Sequence, residues 1–171
     1  MQCAVMLGKR GRRPLHTATP SIARTNMKTP AFTTRFQISF GDCDPAGIVF
    51  YPNFYRWFDA TCHAWFRAAA GSHARLCEAL GSVGVGLVDS GASFRSPATE
   101  GDVLEMALAV EAWNRKTLRL GYRGTVGERL VVEGFELRAV FVREDGRMRA
   151  GETGPLRTLL EQSGATTTTA S

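Results

Sequence analysis

The chain has 171 residues, enough for one domain with a core that needs no disulfide or metal to hold it. Apolar residues make up 44% and charged residues 22%, ordinary globular usage that excludes a wholly disordered chain and a collagen-like repeat, and no apolar run is long enough to span a bilayer. The net charge of +5 belongs to one end: residues 1–30 hold Lys9, Arg10, Arg12, Arg13, Arg24 and Lys28 and no acid, while the rest has 15 basic against 16 acidic residues. A body of net charge −1 lacks the cations of a nucleic-acid surface, so neither nucleic acid nor membrane is an expected partner.

Residues 1–30 have neither helical nor strand period and no apolar core of a secretory signal. The segment fits an organellar transit sequence. The alternative, which is preferred, is a stretch read ahead of a start at Met27, where MKTPAFTTRF leads directly into a strand pattern. It is set apart from a single domain over residues 31–163, as is a Thr-rich tail over 164–171 expected to stay unstructured.

The first element, Thr34 to Phe40, alternates Phe36, Ile38 and Phe40 against Arg35, Gln37 and Ser39, a half-buried strand. Gly41 to Gly47 marks a turn. Phe54, Trp57, Phe58, Thr61, Cys62 and Trp65 then fall at helical spacing, which predicts a helix over about 53–69 with a broad aromatic face. Pro52 and Asn53 are its start residues and Gly71 its stop.

A short helical turn over 72–80 precedes strands at about 85–96, 102–113, 116–126 and 129–143, and a closing helix over 155–162. Leu118, Leu120 and Tyr122 share one face against Arg119, Gly121 and Arg123. Phe135, Leu137, Ala139 and Phe141 share one face against Gly134, Glu136 and Arg138. Long strands with tight connections predict an antiparallel meander with one buried face, hence an α+β domain whose sheet wraps a central helix. Glycines at 91, 121, 124 and 134 are the places for bulges and close backbone approach in a strongly curved sheet.

Cys3, Cys43, Cys62 and Cys77 form no CxxC pair, and His16, His63 and His73 complete no zinc spacing, so no metal or other cofactor is expected. The thiols are taken as free in a reducing, cytoplasmic compartment, with Cys62 a small buried hydrophobe. The stretch Gly41 to Tyr51, GDCDPAGIVFY, concentrates the chemistry by placing two carboxylates between a strand end and a helix start. As turn residues, Asp42 and Asp44 satisfy local amides. As reactive groups, they set a nucleophile or base on one side of a carbonyl and the helix's oriented amides on the other. Phe50, Tyr51, Phe54 and Tyr55 would then wall off water.

The run FGDCDPAGIVFYPNFYRWFDA, Phe40 to Ala60, resembles the signature of the 4-hydroxybenzoyl-CoA thioesterase family of hotdog-fold proteins. The similarity extends over about residues 32–150, including Ala92-Ser93-Phe94, Asp102-Val103-Leu104 and Trp113 with Arg115-Lys116. The resemblance implies an antiparallel sheet wrapped around a long α-helix, assembling into a dimer or a dimer of dimers. It implies hydrolysis of a small aromatic, hydroxybenzoyl-type acyl-CoA to the free acid and CoA, with Asp44 as nucleophile or general base and Asp42 as its structural neighbour. The backbone N–H of Tyr51 would bind the thioester oxygen.

By the same resemblance Asp59 faces the acyl group and holds a ring hydroxyl, although a polar helix position explains it equally. Val85, Gly86 and Leu87 line the substrate, and Asn114, Arg115 and Lys116 meet the phosphates of coenzyme A, against the alternative of a solvated hairpin end. Asn114 interrupts the family's basic run and Val85 replaces a small hydroxyl residue, which puts the acyl specificity in doubt. His63 is expected to be packed or dimer-facing. The alternatives are a thioesterase for short aliphatic acyl-CoA or acyl carrier protein, and an acyl-CoA-binding homologue without turnover.

Overall fold

Phe32–Gln37 forms β1, with Phe32 and Thr34 buried. The computed structural model describes residues 29–164 and 169–170, so the expectations for residues 1–28 lie outside the described residues. The strand stops earlier than its alternation suggests. The Ser39 amide and hydroxyl both donate to Asp42 Oδ2, at 2.9 and 2.7 Å, which winds Phe40–Asp42 into a 3-10 turn and leaves Phe40 79% exposed.

The helix α1, Pro52–Ala70, buries all six residues of the aromatic stripe and ends at Gly71, whose φ of +81° suits a residue without a Cβ. Asn53 is not its cap. Tyr51 takes that place, and Asn53 instead ties the helix to the loop, donating from Nδ2 to the Asp42 carbonyl at 2.9 Å and accepting from Arg56. After α2, His73–Ala79, come β2, Gly84–Phe94, β3, Val103–Trp113, β4, Leu118–Val126, and β5, Arg129–Glu144.

Three strands, β3 to β5, form the expected meander. The sheet as a whole does not: β2 pairs with β5 and β1 with β3, giving the order β2-β5-β4-β3-β1. The excursion through α1 and α2 lies between β1 and β2, and it delivers the chain to the far edge of the sheet. The Asp145-Gly146 turn, with φ of 50° and 74°, adds an unexpected hairpin strand β6, Arg147–Ala150, paired with β5. The closing helix α3, Gly154–Gln162, buries Leu156 and Leu160. In the tail expected to be unstructured, Thr169–Ala170 forms β7, parallel to β1 at Thr33 and Thr34. The edge strand β1 has backbone groups free there for a β-prone Thr segment to pair with.

Register decides the faces. Leu118, Leu120 and Tyr122 are buried against α1, and their partners across β4 and β5 are Arg138, Glu136 and Gly134. Directly opposed residues point the same way, so the charged pair of β5 faces the core while Phe135 and Leu137 face outward. This corrects the apolar-inward pattern that the alternation of β5 suggests. Among the four interior glycines, a register shift occurs only at Gly124. Gly134 instead leaves room for the Phe58 ring, which stacks on Tyr122 with centroids 4.6 Å apart.

Candidate active site

The loop after β1 is built from backbone. Asp44 N–H donates to the Ile48 carbonyl and its Oδ1 accepts from Ala46 N–H at 2.8 Å, while Gly47, at φ +77°, closes the turn. A bridge between Cys43 and Val49 and a second between Ile48 and Thr99 fasten the loop to itself and to the turn before β3. Asp42 is a bracing residue: both hydrogen bonds from Ser39 hold its carboxyl below the usual range, so it stays ionised and keeps the turn wound. Asp44, two residues on, is partly exposed in a cleft lined by Phe40, Cys43, Pro45, Gly47 and Glu100. Glu100 has no signal in the sequence. The Ile48–Thr99 bridge and the hydrogen bond from the Val49 amide to the Ala98 carbonyl bring it there.

The loop runs straight into α1. Pro52 has no N–H, Asn53 and Phe54 donate to the Phe50 and Tyr51 carbonyls, and the Tyr51 amide has no acceptor among the described residues. It is an open donor at the positive end of a 19-residue helix. Phe50, Tyr51, Phe94 and Phe54 form a chain of ring contacts here, with Phe94 of β2 joining where Tyr55 was expected. Tyr55 packs on Phe58 instead, and none of these rings lines the Asp44 cleft.

Two turns further along α1, about 12 Å at 1.5 Å per residue, Asp59 accepts a 2.6 Å hydrogen bond from Arg138 Nη2. Arg138 also leans on the Val85 carbonyl, and Leu87 is its register partner on β2. The structure therefore gathers Asp59, Val85 and Leu87 around Arg138. Gly86 points the other way, where a Cβ would lie 2.7 Å from the Phe141 ring. His63 is packed between Phe66 and His73 and lies 3.6 Å from Asp59; burial pulls its pKa below 6.5 despite that carboxylate. Burial likewise pushes the Cys62 thiol up and keeps it unreactive.

Asn114, Arg115 and Lys116 sit exposed on the β3–β4 hairpin. Thr153 pins the hairpin by accepting nothing from it and donating from its hydroxyl to the Asn114 carbonyl at 2.6 Å. Arg115 makes a loose surface pair with Glu152. The Asp44 loop lies at the Val103 end of β3 and this hairpin at the Trp113 end, roughly 30 Å away at 3.4 Å per residue. One chain does not bring them together.

Residues 38–156 match the model of the thioesterase-like superfamily. The 4-hydroxybenzoyl-CoA thioesterase of Pseudomonas sp. strain CBS-3 is 37% identical over 129 residues, covering 71% of this chain and 91% of that protein. Its solved structure superposes with a TM-score of 0.64 at 34% identity, over 75% of this chain and 96% of that one. A gentisyl-coenzyme A thioesterase structure gives a TM-score of 0.62 at 25% identity, over 75% and 98%. The chain belongs to the thioesterase-like superfamily and has its hotdog fold, an antiparallel sheet curled around α1.

Proposed function

We propose that this protein is a thioester hydrolase that converts an aromatic, hydroxybenzoyl-type acyl-CoA to the free acid and CoA. The observation that carries this is the pairing of Asp44, on a turn fixed by Gly47, with the unpaired Tyr51 amide at the mouth of α1. With the carbonyl oxygen on the Tyr51 N–H, charge that develops on it meets an oriented donor and the helix dipole. Asp44 either attacks the carbonyl carbon and expels the CoA thiolate, leaving an anhydride that water opens, or takes a proton from the water that attacks. The Tyr51 phenol is not needed. The likeness to aromatic acyl-CoA thioesterases supports the substrate class.

Two copies complete the site in this reading. The β2 strand is an open edge with Leu87 and Val88 about half exposed. Antiparallel pairing of two such edges lays the Asp44 end of one sheet beside the hairpin end of the other. A CoA seated on Asp44 then extends toward the partner's Arg115 and Lys116, whose charges suit its phosphates. The catalytic unit is the single domain over residues 31–163, acting without a cofactor in the cytoplasm, where Cys43, Cys62 and Cys77 remain free thiols. Among the described residues no helix is long and apolar enough to cross a membrane.

Thiol release from a panel of aromatic and aliphatic acyl-CoA esters tests the activity, with Asp44→Asn as control. Aryl-CoA turnover that collapses in the variant is expected. Turnover of aliphatic esters alone would move the substrate class, and equal activity in the variant would make Asp44 a turn residue. Single turnover in oxygen-18 water separates the two routes, because an anhydride leaves label in the Asp44 carboxylate. Light scattering that gives a monomer mass would remove the two-copy site.

A further inference from the structure

Arg138 is 1% exposed and is the one buried cation among the described residues. Its guanidinium joins three elements: Nε donates to Glu136 Oε2 at 2.8 Å, Nη2 to Asp59 Oδ1 at 2.6 Å, and Nη1 reaches the Val85 carbonyl of β2 at 3.5 Å. Tyr122 donates its hydroxyl to the same Glu136 oxygen at 2.6 Å, and the Phe58 ring stacks over Tyr122. The array is thus fixed from behind by packing and faces outward at one point only. That point is Asp59, whose side chain is 55% exposed and whose Oδ2 has no partner among the described residues.

Such an array is an expensive way to hold a fold, since apolar side chains of the same volume often do as well. It is an effective way to aim a carboxylate. A guanidinium presents its donors in a rigid plane, so clamping one oxygen of Asp59 sets the direction of the other. Glu136 and Tyr122 in turn set the plane of Arg138. Arg138 is shared between Glu136 and Asp59, so the array keeps a net charge of −1 and the open Asp59 oxygen is an acceptor for a hydrogen-bond donor such as a ring hydroxyl. A carboxylate substituent would be repelled by Asp59 and has no access to the buried cation.

We propose that Arg138 is a specificity-determining positioning residue: by clamping Asp59 Oδ1 it aims Oδ2 at the acyl group and selects aromatic acyl groups that carry a ring hydroxyl. This rests on the reading that Asp59 faces the acyl ring of an aryl-CoA. Val85, whose carbonyl the guanidinium reaches, and Leu87, the register partner of Arg138, form the adjoining wall.

The test is the ratio of kcat/KM for 4-hydroxybenzoyl-CoA to that for benzoyl-CoA. Both esters are hydrolysed by the same folded molecules, so a reduced folded fraction cancels. Wild type is expected to favour the hydroxylated ester, because a site built to bond a hydroxyl discriminates against the analogue without one. Arg138→Lys should lower the ratio about tenfold, through the KM of the hydroxylated ester, as one well-aimed hydrogen bond is lost. The pair Glu136→Gln with Arg138→Met removes both buried charges together, guards against misfolding, and should lower the ratio similarly. In an Asp59→Asn background, Arg138→Lys should change the ratio no further.

An unchanged ratio in either folded variant overturns the proposal, as does a further fall in the Asp59→Asn background. A wild type that hydrolyses both esters equally overturns it while leaving the thioesterase standing. A wild type that hydrolyses neither ester removes the aromatic reading and this proposal with it.

Discussion

The two ends of the candidate site are built in opposite ways. Around Asp44 and Tyr51 the two groups and the turn that holds them lie within one stretch of chain: turn hydrogen bonds, a glycine at φ +77° and an unpaired helix amide, all close to solvent. Around Asp59 the parts come from distant segments, with Arg138 lying 79 positions after Asp59 in the chain, and the side chains behind it are sealed in the core. The loop end spends little stability, because its polar groups are satisfied locally or by water. The Arg138 end carries buried charges whose stability depends on every partner staying in place. Substitutions should therefore separate activity from stability at the first and couple them at the second.

The sharpest contrast is between Asp44→Asn and Arg138→Met. Asn keeps the Oδ1 acceptor for the Ala46 amide but cannot attack or take a proton, so kcat should fall about 10⁴-fold with the unfolding midpoint unmoved. A midpoint that drops in step with activity would break the contrast. Arg138→Met alone leaves Glu136, 2% exposed, without its cation, and should cost about 3–5 kcal/mol in urea unfolding. Adding Glu136→Gln should restore most of that stability. If it restores none, packing rather than charge makes this region sensitive.

Replacing Arg115 and Lys116 together by Ala should raise KM for acyl-CoA about tenfold with kcat nearly intact, and the difference should shrink in high salt. An unaltered KM would leave the hairpin a solvated turn. A smaller effect concerns pH. Burial lowers the pKa of His63, so the unfolded chain binds its proton more readily than the folded one. That contribution to stability is complete above about pH 6.5 and is lost as pH falls through the lowered folded value. Urea midpoints of His63→Gln should thus decline less steeply than wild type between about pH 6.5 and 5. Least of all, Tyr51→Phe should change kcat by less than about twofold, since the proposed donor is the backbone amide, which the substitution keeps. A large loss there would move the oxyanion contact from backbone to side chain.

Much of this was legible in the chain because it is local. The six-residue stripe of α1 states its own buried face at helical spacing, and the cluster of Asp, Pro and Gly announces the loop. The Asp145-Gly146 pair carried a hairpin signal that a reading of one long strand passed over. The strand β5 shows where local pattern fails. Its apolar residues alternate cleanly, yet the face carrying Glu136 and Arg138 turns inward because β4 sets it opposite Leu120 and Leu118. A pair of charges two apart in an apolar strand, with a Tyr available on the neighbouring strand, was the one clue.

The sequence by itself determined the helix with its aromatic face, the strands, the placement of Asp44 and Tyr51 on a loop running into a helix, and kinship with the hotdog thioesterases. The helix, strands and loop follow from backbone periodicity and turn chemistry over a few neighbouring residues, and the kinship from the resemblance of Phe40 to Ala60 to the family's signature. Only the tertiary structure decided the strand order, the inward turn of Glu136 and Arg138, the clamp on Asp59, Glu100 beside Asp44, and the separation of Arg115 and Lys116 from Asp44. Each of those depends on which strand pairs with which and in what register, and a shift of one residue would turn every side chain to the opposite face.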